Sequence, residues 1–258
     1  MLQYHYVMNK SIAFFIQART GSSRLPNKVL LSFDNENCIL GILIQQLQTH
    51  FKQIPLVVCT STAANDDAIV SFCESLNVTC FRGSEDNVLE RFIDAAKHFE
   101  TKVVIRICAD NPFLDMDFIT ELLDFYAENP NADYWSFKNA MDIPAIKTHF
   151  GFFAEIVTLE ALNRVSQLTS DSLYTEHVTN FVYSNAEFNS QLKVMPDFLK
   201  HRNDLRFTID DTTDFELLKG VFQFHKENKY NIEKTILWVE KNPLLLNNMV
   251  ANIKKYSK

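Results

Sequence analysis

The chain has 258 residues, of which 47% are hydrophobic and 22% charged, an ordinary globular balance that excludes a disordered chain. With 25 Lys and Arg against 32 Asp and Glu, the net charge is −7. That sign disfavours a general nucleic-acid binder, which needs a basic face, but leaves room for a local basic pocket. No apolar run approaches the roughly 20 residues that span a bilayer. The N-terminus shows no convincing targeting signal, because the apolar stretch 12–16 is short and closes at Gln17 and Arg19. The five cysteines are odd in number and form no C-x-x-C pair, so they read as reduced thiols in a cytoplasmic protein.

Taken in chain order, apolar strand patterns alternate with helical ones. Residues 11–17 read as a buried strand, followed by a polar loop over 18–27. Residues 38–51 carry apolar side chains at helical spacing, and 55–60 is a near-continuous apolar run, as in a strand covered on both faces. A helix is expected over 65–76, capped by Asn65, Asp66 or Asp67, then a strand at 78–81, a helix at 85–99, a strand at 102–107 and a helix at 115–129. This βαβαβαβα order predicts an α/β fold with a mostly parallel sheet flanked by helices. Further on, strands are expected at 133–137, 192–195 and 205–209, and a loop at 139–149. Residues 150–157 are apolar and aromatic, and most of the Phe there reads as core. Helices are expected at 159–168 and 174–184, a capped one from 210 to about 226, and two short ones around 232–241 and 244–255. One domain over 1–258 is the simplest organisation, with 140–191 as a small inserted subregion.

In a parallel α/β sheet, ligands bind beyond the carboxyl ends of the strands. The first such end, residues 17–28, packs three cations, three hydroxyls and Gly21 into twelve positions. It can offer N–H groups, hydroxyls and charge to a polyphosphate, although it is not a Walker A loop; a solvated basic loop is the plainer alternative. Asp110 follows the strand at 102–107, and Asp210 and Asp211 follow the one at 205–209. Converging carboxylates at two strand ends suit Mg²⁺, which takes one or two of them plus phosphate and water. Capping of the following helix is the competing role, and at least one of Asp210 and Asp211 should serve it. Arg106 and Arg206 lie where they can anchor these ends through ion pairs.

These segments, in this order, resemble the SpsF-type cytidylyltransferases, relatives of the CMP-sugar synthetases for Kdo and sialic acid. The stretch from Ile16 to Leu30 is similar to the family's I-Q-A-R-x-G-S-x-R-L-P-x-K-V-L, and that from Phe81 to Arg91 to F-R-G-S-E-x-x-V-L-x-R. Val104-Ile105-Arg106-Ile107 with Asp110 and Pro112, Glu176-His177-Val178-Thr179, and Leu205-Arg206-Phe207-Thr208-Ile209-Asp210 extend the likeness over residues 12–224. The resemblance implies a nucleotide-diphospho-sugar transferase-like, Rossmann-like fold. It implies transfer of CMP from CTP to a sugar or anionic acceptor with release of pyrophosphate. By the same analogy Arg19, Ser22 and Lys28 hold the triphosphate, Lys28 lies nearest the phosphorus, and Arg24 faces phosphate or acceptor. Gln17, Ala18, Gly21 and the segment holding Gly83, Ser84 and Asn87 border the nucleotide. Asp110 and Asp210 hold Mg²⁺, and a homodimer is implied.

Two departures stand out. The family's T-G-D is Cys108-Ala109-Asp110 here, which restricts the backbone if a positive φ is needed at Ala109. The family's G-L-D-V-E is Gly151-Phe152-Phe153-Ala154-Glu155, so Phe153 replaces an acid in the expected acceptor region beside Glu155, Glu176 and His177. His177 can touch the acceptor, act as a base, or be structural. A related-fold glycosyltransferase and an inactive nucleotide-binding scaffold are the alternatives. The first would need a D-x-D motif, and Asp115-Met116-Asp117 comes too late after its strand.

Overall fold

The structure is a computed structural model and describes residues 11–35 and 37–256; part of the stretch read above for a targeting signal, residues 1–10, lies outside them. β1 (Ile12–Gln17) is followed by the basic loop and a small hairpin of β2 (Ser32–Asp34) and β3 (Asn37–Cys38), which the sequence pattern did not suggest. α1 (Ile39–His50), β4 (Leu56–Ser61), α2 (Asp67–Ser75), β5 (Thr79–Gly83), α3 (Val88–His98), β6 (Val103–Cys108) and α4 (Met116–Glu128) reproduce the expected alternation. The second half holds β7 (Tyr134–Lys138), β8 (Glu155–Thr158), α5 (Leu159–Leu168), α6 (Ser172–Glu176), α7 (Asn180–Ser184), β9 (Ser190–Val194), α8 (Asp197–Lys200), α9 (Thr212–Glu227), α10 (Ile232–Glu240) and α11 (Pro243–Tyr256).

Seven strands form one sheet in the order β5-β4-β1-β6-β8-β7-β9. β5, β4, β1 and β6 run parallel; β8 is antiparallel to both neighbours, and β7 and β9 are parallel to each other. The mostly parallel α/β class is therefore as the sequence pattern indicates. β1 shows why its sequence is almost wholly apolar. Ile12, Phe14 and Ile16 point into one core layer, and Ala13 and Phe15 into the other, so both faces are covered. Phe14 packs against Phe51 and Phe15 against Phe92, at centroid distances of 5.4 and 5.7 Å.

The chain runs from β1 outward to β4 and β5, then returns across β1 to β6. The crevice beyond the carboxyl ends of β1 and β6 is thus the point where the winding reverses, the usual ligand position in an open α/β sheet. Gln17 and Cys108 are register partners there, and Ala109 N–H donates to the Gln17 carbonyl at 3.0 Å.

Several expected elements are corrected. Residues 205–209 are not a strand. They are a buried extended segment tied by Phe207 N–H to the His149 carbonyl (2.8 Å) and by Ile209 N–H to the Asp110 carbonyl (3.2 Å). The expected helix at 174–184 divides into α6 and α7 because Val178 and Thr179 turn inward, the latter giving its hydroxyl to Glu155 at 2.9 Å. Within 150–157 only the end is strand. Gly151 holds a positive φ of 68°, where a Cβ would stand 3.2 Å from the Phe207 carbonyl oxygen, so only glycine fits without strain. Residues 140–191 supply β8 to the sheet, while α5 and α6 pack on α3.

Candidate active site

The loop after β1 is built on a buried carboxylate. Asp66 accepts from Thr20 N–H (2.8 Å), Thr20 Oγ1 (2.7 Å), Thr60 Oγ1 (2.9 Å), Ser61 N–H (3.0 Å) and Ser61 Oγ (2.5 Å). The Thr20 carbonyl in turn accepts from Ser22 and Asn27 N–H groups, which folds the loop back on itself. Asp66 was expected to cap α2; its side chain makes no cap bond and ties three segments together instead. Burial alone would raise its pKa, but the Ser61, Thr20 and Thr60 donors outweigh it and bring the value down to about 2 from 3.8. A depressed carboxyl pKa contributes stability above the unfolded value that is lost as pH falls through the folded one. The shift corresponds to roughly 2 kcal/mol. Urea unfolding from pH 5 to pH 2 should show Asp66→Asn costing stability at pH 5 and converging toward wild type near pH 2.

The same loop delivers two of its three cations to the two predicted carboxylates. Lys28, in a short 3₁₀ turn (Lys28–Leu30), is only 8% exposed. Its Nζ donates to Asp110 Oδ2 at 2.9 Å and to the Ile209 carbonyl at 2.6 Å. Arg24 Nη2 donates to Asp210 Oδ1 at 2.6 Å. Behind Asp210, the buried Arg206 makes a bidentate pair with Asp214 (2.9 and 2.7 Å) and reaches Asp210 Oδ2 at 2.7 Å. Arg206 Nη1 also bonds His149 Nδ1 at 2.7 Å. Burial and the Arg206 charge lower the His149 pKa, which keeps the ring neutral as an acceptor. Asp211 is the residue that caps α9, accepting from Asp214 N–H at 2.9 Å. Lys28 thus joins the end of β6 to the segment before α9, and Asp110 and Asp210 border one cleft of about 630 Å³. Gln17, Arg19, Gly21, Ser22, Arg24 and Lys28 line one side of it. A Cβ added to Gly21 would meet nothing within 4 Å, so the glycine leaves open space above the loop.

The opposite side comes from residues 145–153 and from α6 and α7, and includes Phe153, Glu176 and His177. Arg19 bridges the two sides through Glu176 at 3.2 Å, an exposed pair. Phe153 stacks against Phe118 with centroids 4.7 Å apart, leaving an apolar surface where the resembled family has an acid. Glu155 is corrected as an acceptor contact, for it is 2% exposed and lies beneath the cleft. It pairs with Arg106 and accepts from Tyr134 Oη and Thr179 Oγ1, so its lone pairs are spent internally. Arg106 passes this order upward by donating to Gln17 Oε1 at 3.2 and 2.8 Å.

Gly83, Ser84 and Asn87 do not line the cleft. Asn87 caps α3 through Glu90 N–H (2.9 Å), Ser84 Oγ accepts from Asn87 N–H (3.1 Å), and the Gly83 carbonyl takes Thr62 N–H (3.0 Å). Ala18 is buried, with its N–H on the Cys59 carbonyl at 3.2 Å. Ala109 has no positive φ, so replacing glycine there strains nothing. Burial pushes the Cys108 thiol up to about 11, which suits a packed side chain and not a nucleophile. Sequence reasoning missed Asp66, His149, Lys147 and Tyr183 as site residues. Lys147 Nζ lies 5.4 Å from the Tyr183 ring centre, and both face the cleft.

A mostly parallel sheet whose reversal point opens into a cleft lined by a basic, hydroxyl-rich loop and two carboxylates is the arrangement of a nucleotide-handling α/β enzyme. The family model described as cytidylyltransferase matches residues 13–247. A relative from Methanocaldococcus jannaschii, itself uncharacterized, is 36% identical over 94% of this chain and 95% of its own. The spore coat polysaccharide biosynthesis protein SpsF of Bacillus subtilis is 32% identical over 82% of this chain and 86% of its own. Among solved structures, a cytidylyltransferase from Leptospira borgpetersenii superposes with a TM-score of 0.78 at 27% identity, covering 92% of this chain and 97% of that one. The chain belongs to the cytidylyltransferase family, and so is a nucleotidyltransferase.

Proposed function

We propose that the protein is a Mg²⁺-dependent enzyme that transfers CMP from CTP to a sugar, sugar acid or related anionic acceptor, releasing pyrophosphate. The observation that carries this reading is the pairing at the cleft floor, Lys28 on Asp110 and Arg24 on Asp210. Two cations and two carboxylates stand together in charge balance. A triphosphate recruits the first set and a hard divalent cation the second, so each ligand frees partners for the other. Nucleotide and metal should therefore bind cooperatively.

Asp110 and Asp210 are the residues that would hold Mg²⁺. Their donors are hard carboxylate oxygens, and two of them suffice, since the phosphates and water complete the shell. When bound, the ion supplies neutralisation of charge on the α-phosphate and the leaving pyrophosphate. Lys28 and Arg19 hold the triphosphate by charge and Ser22 by its hydroxyl, and Lys28 stabilises charge at the phosphorus under attack. Gln17, oriented by Arg106, borders the nucleoside beside the β1 backbone. The acceptor occupies the side lined by Phe153, Glu176 and His177, with one apolar face on Phe153. The name of the SpsF relative supports a product used in surface polysaccharide or glycoconjugate synthesis. The same reading keeps residues 1–258 as one domain, assigns 140–191 to the acceptor and dimer-forming side of a homodimer, and places the reaction in the cytoplasm. Supporting that placement, all five cysteines are unpaired, and no helix among the described residues is long and apolar enough to cross a membrane.

Thermal melting with CTP, UTP, ATP and GTP, each with and without Mg²⁺, tests this without knowing the acceptor. A ligand at 100 times its Kd adds about 2.7 kcal/mol, several degrees in Tm. CTP should stabilise selectively, and more with Mg²⁺ than the sum of each alone. Equal stabilisation by all four triphosphates, or by none, speaks against the proposal.

A further inference from the structure

The last turn of α11 lies beyond residues 13–247 matched by the family model, yet it packs directly onto the site. Tyr256 Oη donates to Asp211 Oδ2 at 2.6 Å, and Lys255 Nζ reaches the same oxygen at 2.9 Å. Asn252 Nδ2 donates to Asp214 Oδ1 at 2.7 Å. These bonds dock the helix end on the start of α9. The docking brings the Tyr256 ring to 4.8 Å from Arg24 Cζ and 5.0 Å from Arg206 Cζ. Both guanidinium groups also bond Asp210, one at each oxygen.

The two arginines differ in what they need. Arg206 is buried and locked by Asp214 and His149. Arg24 has a side chain half exposed on a loop, 232 positions away in sequence from the ring it meets. An exposed arginine loses rotamer freedom when it is fixed, and its bond to Asp210 is weakened by solvent. A ring face within 6 Å attracts the cation without competing for its N–H donors, so the guanidinium stays held while those donors serve a ligand.

We propose that Tyr256 is a positioning residue for Arg24, its ring holding the guanidinium at the cleft mouth. The end of α11 is then part of the nucleotide site. This rests on the cytidylyltransferase reading for its ligand, a nucleoside triphosphate with Mg²⁺.

Calorimetric titration of the full chain with CTP and Mg²⁺ tests it, using wild type, Y256F, Y256L, R24A and the R24A/Y256L pair. Y256L should raise Kd by about fivefold. Y256F keeps the ring and should stay within about twofold of wild type. In the R24A background, adding Y256L should change Kd by less than about twofold, because the coupled group is gone. Three results overturn the inference: Y256L binding like wild type, Y256F as weak as Y256L, or Y256L costing the same with and without Arg24. The second would mean that the hydroxyl bond to Asp211 matters and the ring does not. Wild type that binds no CTP removes the cytidylyltransferase reading and this inference with it. Normal wild-type binding with an unaffected Y256L removes the inference alone.

Discussion

Lys28→Ala should lower pyrophosphate release from CTP by about 10³-fold while leaving the protein folded. A fixed cation in a site screened from water, aimed at developing charge, contributes roughly 10²–10³ in rate. Lys28 meets those conditions, being 8% exposed and held between Asp110 and the Ile209 carbonyl. Lys28→Arg should rescue little, since the pocket receives one ammonium and a planar fork needs different room. The check is the initial rate at saturating CTP with a mixture of sugar acids, alongside circular dichroism. More than a tenth of wild-type activity in Lys28→Ala would remove Lys28 from the chemistry.

Arg106→Met should be the most damaging single change to stability, at about 3–5 kcal/mol, or roughly 10 °C in Tm. Arg106 and Glu155 are both nearly inaccessible, at 5% and 2% exposure. Removing the cation leaves a buried carboxylate with only Tyr134 and Thr179 as donors. The same change releases Gln17 from its two donors, so nucleotide affinity should fall as well. A second substitution, Glu155→Gln, discharges the stranded group and keeps an acceptor for Tyr134 and Thr179. The double variant should regain at least half of the lost stability. Thermal melting of the three variants decides this, and an Arg106→Met protein melting within 2–3 °C of wild type would contradict it.

Most of the first half of the fold was legible because β1, β4 and β6 are largely apolar runs and a helical pattern follows each, whereas the short, partly polar β2 and β3 gave no such signal. The second half was not. β8 pairs between β6 and β7, a non-local choice that its four residues do not announce. Residues 205–209 have strand composition, yet their backbone bonds go to the His149 and Asp110 carbonyls and not to a ladder. Site residues clustered in one loop, as Arg24 and Lys28, or just beyond an apolar run, as Asp110 and Asp210, could be picked from the sequence. Residues acting through distant partners could not. Asp66 looked like a helix cap, and its five donors come from residues 20, 60 and 61. Glu155 sits within the likeness to known cytidylyltransferases, and only the structure shows it turned beneath the cleft onto Arg106. Tyr256 carried no signal at all.

The most direct test of the central claim is ³¹P NMR of CTP, Mg²⁺ and a panel of sugar acids incubated with the enzyme, beside a parallel sample to which a panel of nucleotide-sugars is added. Appearance of a CMP-linked product together with an equal amount of pyrophosphate, abolished by EDTA and by Asp110→Asn, is the predicted result. CTP left intact while a nucleotide-sugar loses its nucleoside diphosphate would contradict it and mark the protein as a glycosyltransferase.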